Sequence, residues 1–311
     1  MRRVAVIDIG SNSIKLLVAR RGTNCGRVKQ VHAQSIDARI SAGISQAEPR
    51  LGEDSMARGL AAIQELLAAA SPHAPERTIL VATSAVRDAR NGREFLACVQ
   101  HETGYEVQLL SGEAEANAIG AGLTCDPALA ELSNFSVFDL GGGSLECLAF
   151  TQRRVAQALS LQLGCVRLSE LFVPDIAAPF SGESRSRIAA HVGATLTDVG
   201  FQFSIGRATS VITGGSVVAL QSIRAAQLGQ PLAEVPSLIT LSKMRNLLDE
   251  IAPLPLAQRM LIPGMPPARA DVLPAALATL IAVAELGGLT EFHHSFYNLR
   301  YGLAKEALQA V

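Results

Sequence analysis

From its first residues the chain alternates short apolar runs with amphipathic stretches. Residues 4–9 and 14–20 are nearly continuous in Val, Ile, Leu and Ala, separated by Gly10-Ser11-Asn12-Ser13, and a weaker apolar segment follows at 28–33. Short runs bounded by turn residues predict strands, and the helical spacing of apolar positions across 54–70 predicts a helix. The pattern continues as a strand over 78–82, a helix over 91–103, a strand over 106–110 and a helix from Ser111 to about 123. A second unit opens with strands at 137–140, 144–150 and 155–161, then helices at 166–172 and 183–200 and an apolar run at 210–212. Such alternation predicts α/β layers. Proline-rich stretches at 174–182 and 253–267 read as connections. Thr279, Glu285 and Gly287-Gly288 interrupt the most apolar stretch, 273–289, which therefore predicts a buried helix rather than a membrane span.

The chain also repeats itself. Residues 4–18 align without gaps on 135–149, matching Asp8 to Asp139, Gly10 to Gly141, Ser13 to Ser144 and Lys15 to Glu146. Each copy is an apolar strand ending in Asp, a turn of small residues and a second strand. If each turns over two central residues, Asp8 pairs across its hairpin with Lys15, and Asp139 with Glu146. A repeat on this scale predicts two related domains, and if they face each other both turns lie beside one cleft.

The composition narrows the chemistry. With 311 residues, 49% of them apolar, the chain can fill two cores. Lys and Arg number 27 against 28 Asp and Glu, so a net charge of −1 offers no general field for a nucleic acid or another polyanion. Phosphate binding must then be local. The opening Met1-Arg2-Arg3 is followed too soon by Asp8 and Asn12 for a secretion signal, which predicts a cytoplasmic protein without a membrane partner. The five cysteines lack CxxC spacing and read as small buried hydrophobes rather than a disulfide framework, and the six histidines lack metal-ligand spacing.

Three turns can surround phosphate with backbone N–H groups and small hydroxyls: Gly10 to Ser13, with Ser11, Asn12 and Ser13; Gly141-Gly142-Gly143-Ser144; and Gly214-Gly215-Ser216 at a strand-to-helix junction. Lys15 and Arg87 are candidate phosphate cations, although Lys15 is also a plain ion-pair partner for Asp8 and Arg87 an ordinary solvated arginine. Directly opposed Asp139 and Glu146 suit a hard divalent cation, Mg2+ or Mn2+, with Asp8 as a further candidate ligand. In Ser111-Gly112-Glu113-Ala114-Glu115, either acid can answer the helix dipole, and Glu115 can instead orient a water as general base. Spacing does not choose between these roles.

Read in order, Asp8-Ile-Gly-Ser-Asn-Ser-Ile-Lys-Leu-Leu, Ala82-Thr-Ser-Ala-Val-Arg-Asp-Ala, Leu110-Ser-Gly-Glu-Ala-Glu-Ala, Asp139-Leu-Gly-Gly-Gly-Ser, Leu163-Gly-Cys-Val-Arg-Leu and Asn298-Leu-Arg-Tyr-Gly-Leu resemble the signature segments of the exopolyphosphatase/guanosine pentaphosphate phosphohydrolase family. That family lies within the actin-like superfamily. The resemblance implies two actin-like (ribonuclease H-like) α/β domains of mixed sheet flanked by helices, with an active-site cleft between them. It implies residues 1–122 plus a returning 297–311 in one domain and 123–296 in the other. It also implies Glu115 as catalytic base, Asp139 and Glu146 as carboxylates of a magnesium site, and Ser11, Asn12, Arg87 and the 141–144 turn as phosphate contacts. The implied activity is release of terminal orthophosphate from polyphosphate, in short chains because the C-terminal domains of longer members are absent, with guanosine pentaphosphate as the rival substrate. A superfamily kinase and a non-catalytic sensor of phosphate chains or alarmone are further alternatives; the 111–116 segment argues against the first, and the presence of Glu115, Asp139 and Glu146 against the second. Two residues depart from the family pattern, Ala114 between acids that are usually adjacent and Ala276 where Gly is common. A homodimer is compatible with all of these readings.

Overall fold

A computed structural model describes residues 2–22, 28–203 and 209–310. Cys25 lies outside the described residues, whereas Cys125, Cys147 and Cys165 are buried free thiols and Cys98 is half-buried. The chain forms two compact units, the first comprising Met1–Glu131, Ala158–Ser160 and Tyr297–Val311, the second Leu132–Gln157 and Leu161–Phe296.

In the first unit β1 (Arg3–Ile9), β2 (Ile14–Arg21) and β3 (Val28–Ile36) are followed by α1 (Glu53–Ala70), β4 (Arg77–Ala82), α2 (Ser84–Asp88), α3 (Gly92–Thr103), β5 (Val107–Leu109) and α4 (Gly112–Leu123). The sheet order is β3-β2-β1-β4-β5. Strand β1 runs antiparallel to β2 and parallel to β4, and β4 runs parallel to β5. Central β1 is buried from Val4 to Ile7, which explains its uninterrupted apolar sequence. Strand β3 keeps one face in water, so its apolar signal was weak and the expected strand over 28–33 stopped short of Ile36. Helix α1 buries Ser55, Gly59, Ala62, Ile63, Leu66 and Ala70, one stripe at helical spacing.

The second unit contains β6 (Phe135–Leu140), β7 (Leu145–Thr151), β8 (Arg154–Leu161), α5 (Cys165–Phe172), α6 (Gly182–Asp198), β9 (Ser210–Thr213), α7 (Gly215–Leu228), β10 (Leu238–Thr240), α8 (Leu241–Ile251), α9 (Leu256–Arg259), α10 (Leu273–Gly287) and β11 (Glu291–His294). Its sheet order is β10-β11-β9-β6-β7-β8. Read from β8, the first five strands reproduce β3-β2-β1-β4-β5 in order and, at each pairing described, in direction: β6 is antiparallel to β7 and parallel to β9, and β9 is parallel to β11. The sequence repeat is therefore the trace of a repeated sheet, with β10 added at one edge. The stretch 253–267 is more than a connection, since it carries α9; Arg259 donates through Nη2 to the carbonyls of Ile176 at 2.8 Å and Ala178 at 3.1 Å. Helix α10 is buried on every side from Leu273 to Ala284, as its composition predicts. No helix among the described residues is long and apolar enough to cross a membrane.

The last helix, α11 (Leu299–Gln309), packs against α4, β1 and β2. The first unit runs to Glu131 rather than to 122, past the end of α4, where Lys305 Nζ on α11 donates to Thr124 Oγ1 at 2.9 Å. At the crossing, a Cβ on Gly302 would lie 1.9 Å from the carbonyl oxygen of Ala118, and one on Gly122 would lie 2.1 Å from that of Asn298. Neither obstacle is a flexible side chain. Gly302→Ala should therefore separate the two helices and destabilise the first unit by about 2–3 kcal/mol. A lowered denaturant midpoint is expected; an unchanged one would mean that the helices can part without cost.

Candidate active site

Hairpin register places the candidate residues as the repeat predicted: Asp8 faces Lys15, and Asp139 faces Glu146. In the second unit the glycine turn lies against the start of α5. The carbonyl of Gly141 accepts from Cys165 N–H at 3.0 Å, and that of Gly142 from Val166 N–H at 2.9 Å and Arg167 N–H at 3.2 Å. The carbonyl of Gly143 accepts from Arg167 Nε at 3.0 Å. In a trans peptide the C=O and the following N–H point in opposite directions. With three successive carbonyls directed at α5, the N–H groups of Gly142, Gly143 and Ser144 point away from it, side by side. Such a row of donors is a concavity for an anionic oxygen.

Asp139, the penultimate residue of β6, lies beside this turn, and its register partner on β9 is Thr213. The third turn, Gly214 to Ser216, therefore begins next to Asp139. Gly214 has a φ of 113°, a conformation that favours glycine, and a Cβ there would lie 2.3 Å from the Leu140 carbonyl oxygen. Asp139 and Glu146 are buried, exposed by only 8% and 2%. Among the described residues no group of three or more His, Cys, Asp and Glu forms a cage for a metal. Two buried carboxylates beside this turn nevertheless fit Mg2+ in kind and number, since that ion commonly takes one or two carboxylates and completes its shell with water and substrate phosphate.

The first unit builds the matching arrangement from different material. Ser11 and Asn12 correspond to Gly142 and Gly143. Their carbonyls accept from Ser41 N–H at 3.2 Å and Arg39 N–H at 2.9 Å, so the N–H groups of Asn12 and Ser13 point away from the 38–41 segment. Ser11 Oγ lies 3.1 Å from Ser84 Oγ at the start of α2. Burial raises the carboxyl pKa of Asp8, while Lys15 and Arg300 draw it down. The Asp8 Oδ1 atom is buried without a hydrogen-bond partner among the described residues.

Packing separates the two candidate acids on α4. Ser111 caps the helix by accepting from Ala114 N–H at 3.1 Å, which places both acids in the first turn. Glu113 is exposed, whereas Glu115 is buried with only 6% exposure. Arg87 reaches Glu115 from α2: its Nη1 donates to Glu115 Oε2 at 2.9 Å and to the Leu110 carbonyl at 3.0 Å. Its Nε lies 3.8 Å from Asp88 Oδ1. Arg87 is thus not simply solvated, because it holds the carboxylate expected to act as base.

Two arginines near the turns went unassigned by sequence reasoning. Arg167, 6% exposed, holds the Gly143 carbonyl, and a Cβ on Gly215 would lie 2.5 Å from Nη2 of Arg269, which is 8% exposed. The available signal was weak: Arg167 lies within the 163–168 segment, and Arg269 lies four residues before the first residue of the most apolar helix.

The profile of the Ppx/GppA phosphatase family matches residues 4–310. The structure of an Aquifex aeolicus PPX-GPPA enzyme superposes with a TM-score of 0.78 at 25% identity, covering 98% of this chain and 99% of that one. An exopolyphosphatase from Cytophaga hutchinsonii superposes with a TM-score of 0.87 at 22% identity, covering 100% and 99%. An exopolyphosphatase-like protein gives 0.88 at 22% identity, covering 98% and 97%.

Proposed function

Because the chain belongs to the Ppx/GppA phosphatase family and is a hydrolase of phosphoric anhydrides, we propose that it releases terminal orthophosphate from inorganic polyphosphate by attack of water on the terminal phosphorus. The observation that carries this reading is the buried Glu115, held by Arg87 at 2.9 Å in a unit that also has an anion-binding turn. Glu115 orients the water and accepts its proton as the new P–O bond forms. The terminal anhydride P–O bond breaks, and its electron pair leaves on the shortened chain. The N–H row of residues 12–13 in the first unit and, in the second, that of residues 142–144 with the 214–216 turn each serve to bind phosphate oxygens and stabilise charge that develops on them. Asp139 and Glu146 would hold magnesium, which would neutralise phosphate charge and polarise the scissile bond. A cytoplasmic setting belongs to the same reading.

Substrate length follows from the charge. A chain with a net charge of −1 has no general attraction for a long polyanion, so contacts are confined to the terminal few phosphates. The test is phosphate release from length-fractionated polyphosphates and from guanosine pentaphosphate at fixed magnesium and ionic strength. The specificity constant per chain end should plateau at short length and exceed that for guanosine pentaphosphate. A constant that climbs through long chains, or a preference for guanosine pentaphosphate, would reassign the substrate.

A further inference from the structure

Arg39 has an unusual backbone. Its φ of 44° is left-handed, a conformation that favours glycine and that a residue with a side chain adopts only when its surroundings impose it. The surroundings here include Arg58, whose Nε donates to the Ala38 carbonyl at 3.2 Å and whose Nη2 donates to Ser55 Oγ at 3.0 Å. In this conformation Arg39 engages Asn12 twice, through its N–H to the backbone carbonyl at 2.9 Å and through its Nε to the side-chain Oδ1 at 3.2 Å. The second contact decides which way the amide faces. A flipped Asn12 would set its NH2 donors against a guanidinium that has no acceptor, so Oδ1 faces the arginine and the NH2 end faces the other way.

We infer that Arg39 is a positioning residue, acting through Asn12 to present the amide NH2 and the Ser13 N–H together to a phosphate oxygen; this rests on the reading above that the 10–13 turn binds phosphate. The repeat supplies an independent parallel. Gly143 is the counterpart of Asn12, and its carbonyl is held by Arg167 Nε at 3.0 Å. Glycine has no amide to orient, so there the guanidinium holds the backbone directly. In the first turn a backbone N–H takes over that task and the guanidinium is applied to the side chain. Two arginines from unrelated segments thus support equivalent positions of two related turns.

The decisive variant is Arg39→Gly, which tolerates the left-handed backbone and keeps the N–H donor while removing the side chain. With tripolyphosphate as substrate, KM should rise roughly tenfold with kcat within about threefold, because the lost contact serves ground state and transition state alike. The unfolding midpoint should not fall. Arg39→Lys, which can still donate to Oδ1, should recover part of the loss. In an Asn12→Ala background, Arg39→Gly should add less than about twofold, since both changes remove the same contact. An unchanged KM, or losses that multiply in the double variant, would overturn the assignment. Calorimetric binding of tripolyphosphate separates this result from the fate of the hydrolysis reading. If the protein binds without turnover, hydrolysis fails while the same roughly tenfold change in Kd sustains Arg39; absence of both binding and turnover overturns both.

Discussion

Glu115→Gln lowers turnover by about a hundredfold or more while KM stays within about threefold, the result expected when a general base is replaced by an amide of equal size. The amide oxygen can still accept from Arg87 Nη1, so the link now measured at 2.9 Å persists as a hydrogen bond without its ionic part. On the proposed reading, substrate phosphates bind at the turns, which Glu115 does not build. Affinity and fold should therefore survive the loss of chemistry. The competing account makes Glu115 only a structural partner for a half-buried guanidinium. On that account Glu115→Gln would lower the unfolding midpoint and leave turnover per folded molecule unchanged. Steady-state kinetics together with denaturation separates the two, and near-normal turnover would remove Glu115 from the mechanism.

Asp139→Ala and Glu146→Ala should each raise the magnesium concentration needed for half-maximal activity by more than about tenfold, and the double variant should add little, because two ligands of one ion act as a unit. Chelation should abolish wild-type activity. A readout that needs no turnover is metal-dependent stability: magnesium at one hundred times its dissociation constant should stabilise the wild type by about 2.7 kcal/mol, and the variants scarcely at all. These carboxylates face each other across one hairpin in a buried setting. Equal magnesium stabilisation in wild type and variants would move the ion elsewhere, and activity that survives exhaustive chelation would dispense with it.

The parts of the molecule that were legible in the sequence are those with a strong local cause. The β1–β2 and β6–β7 hairpins are buried runs joined by small-residue turns, and their repetition fixed the pairing of Asp8 with Lys15 and of Asp139 with Glu146. Strands β10 and β11 escaped because three or four residues carry too little periodicity to register. Spacing within one helical turn could not decide whether Glu115 serves the helix dipole or a water; its burial beside an exposed Glu113 and the approach of Arg87 from α2 are what set it apart in the structure. Arg39 and Arg167 were invisible for a related reason. Each supports a turn 24 or more residues away, Arg167 to Gly143 and Arg39 to Asn12, through contacts to backbone or amide oxygens that leave no mark on composition.

The place of α11 matters for how the protein is made. Ribosomes deliver residues in order, so the strands and helices of the first 131 residues emerge long before the helix that packs on α4 at Gly122 and Gly302. Until then the apolar side of α4, which buries Ala118, Ile119 and Leu123 in the finished protein, has lost its principal cover. The second unit, Leu132–Gln157 with Leu161–Phe296, has no such dependence on α11. Closing the first unit therefore requires contacts that span nearly the whole sequence, a slow and aggregation-exposed step in folding. A polypeptide truncated before residue 299 would carry every candidate catalytic residue and still present quality-control proteases with an unfinished surface.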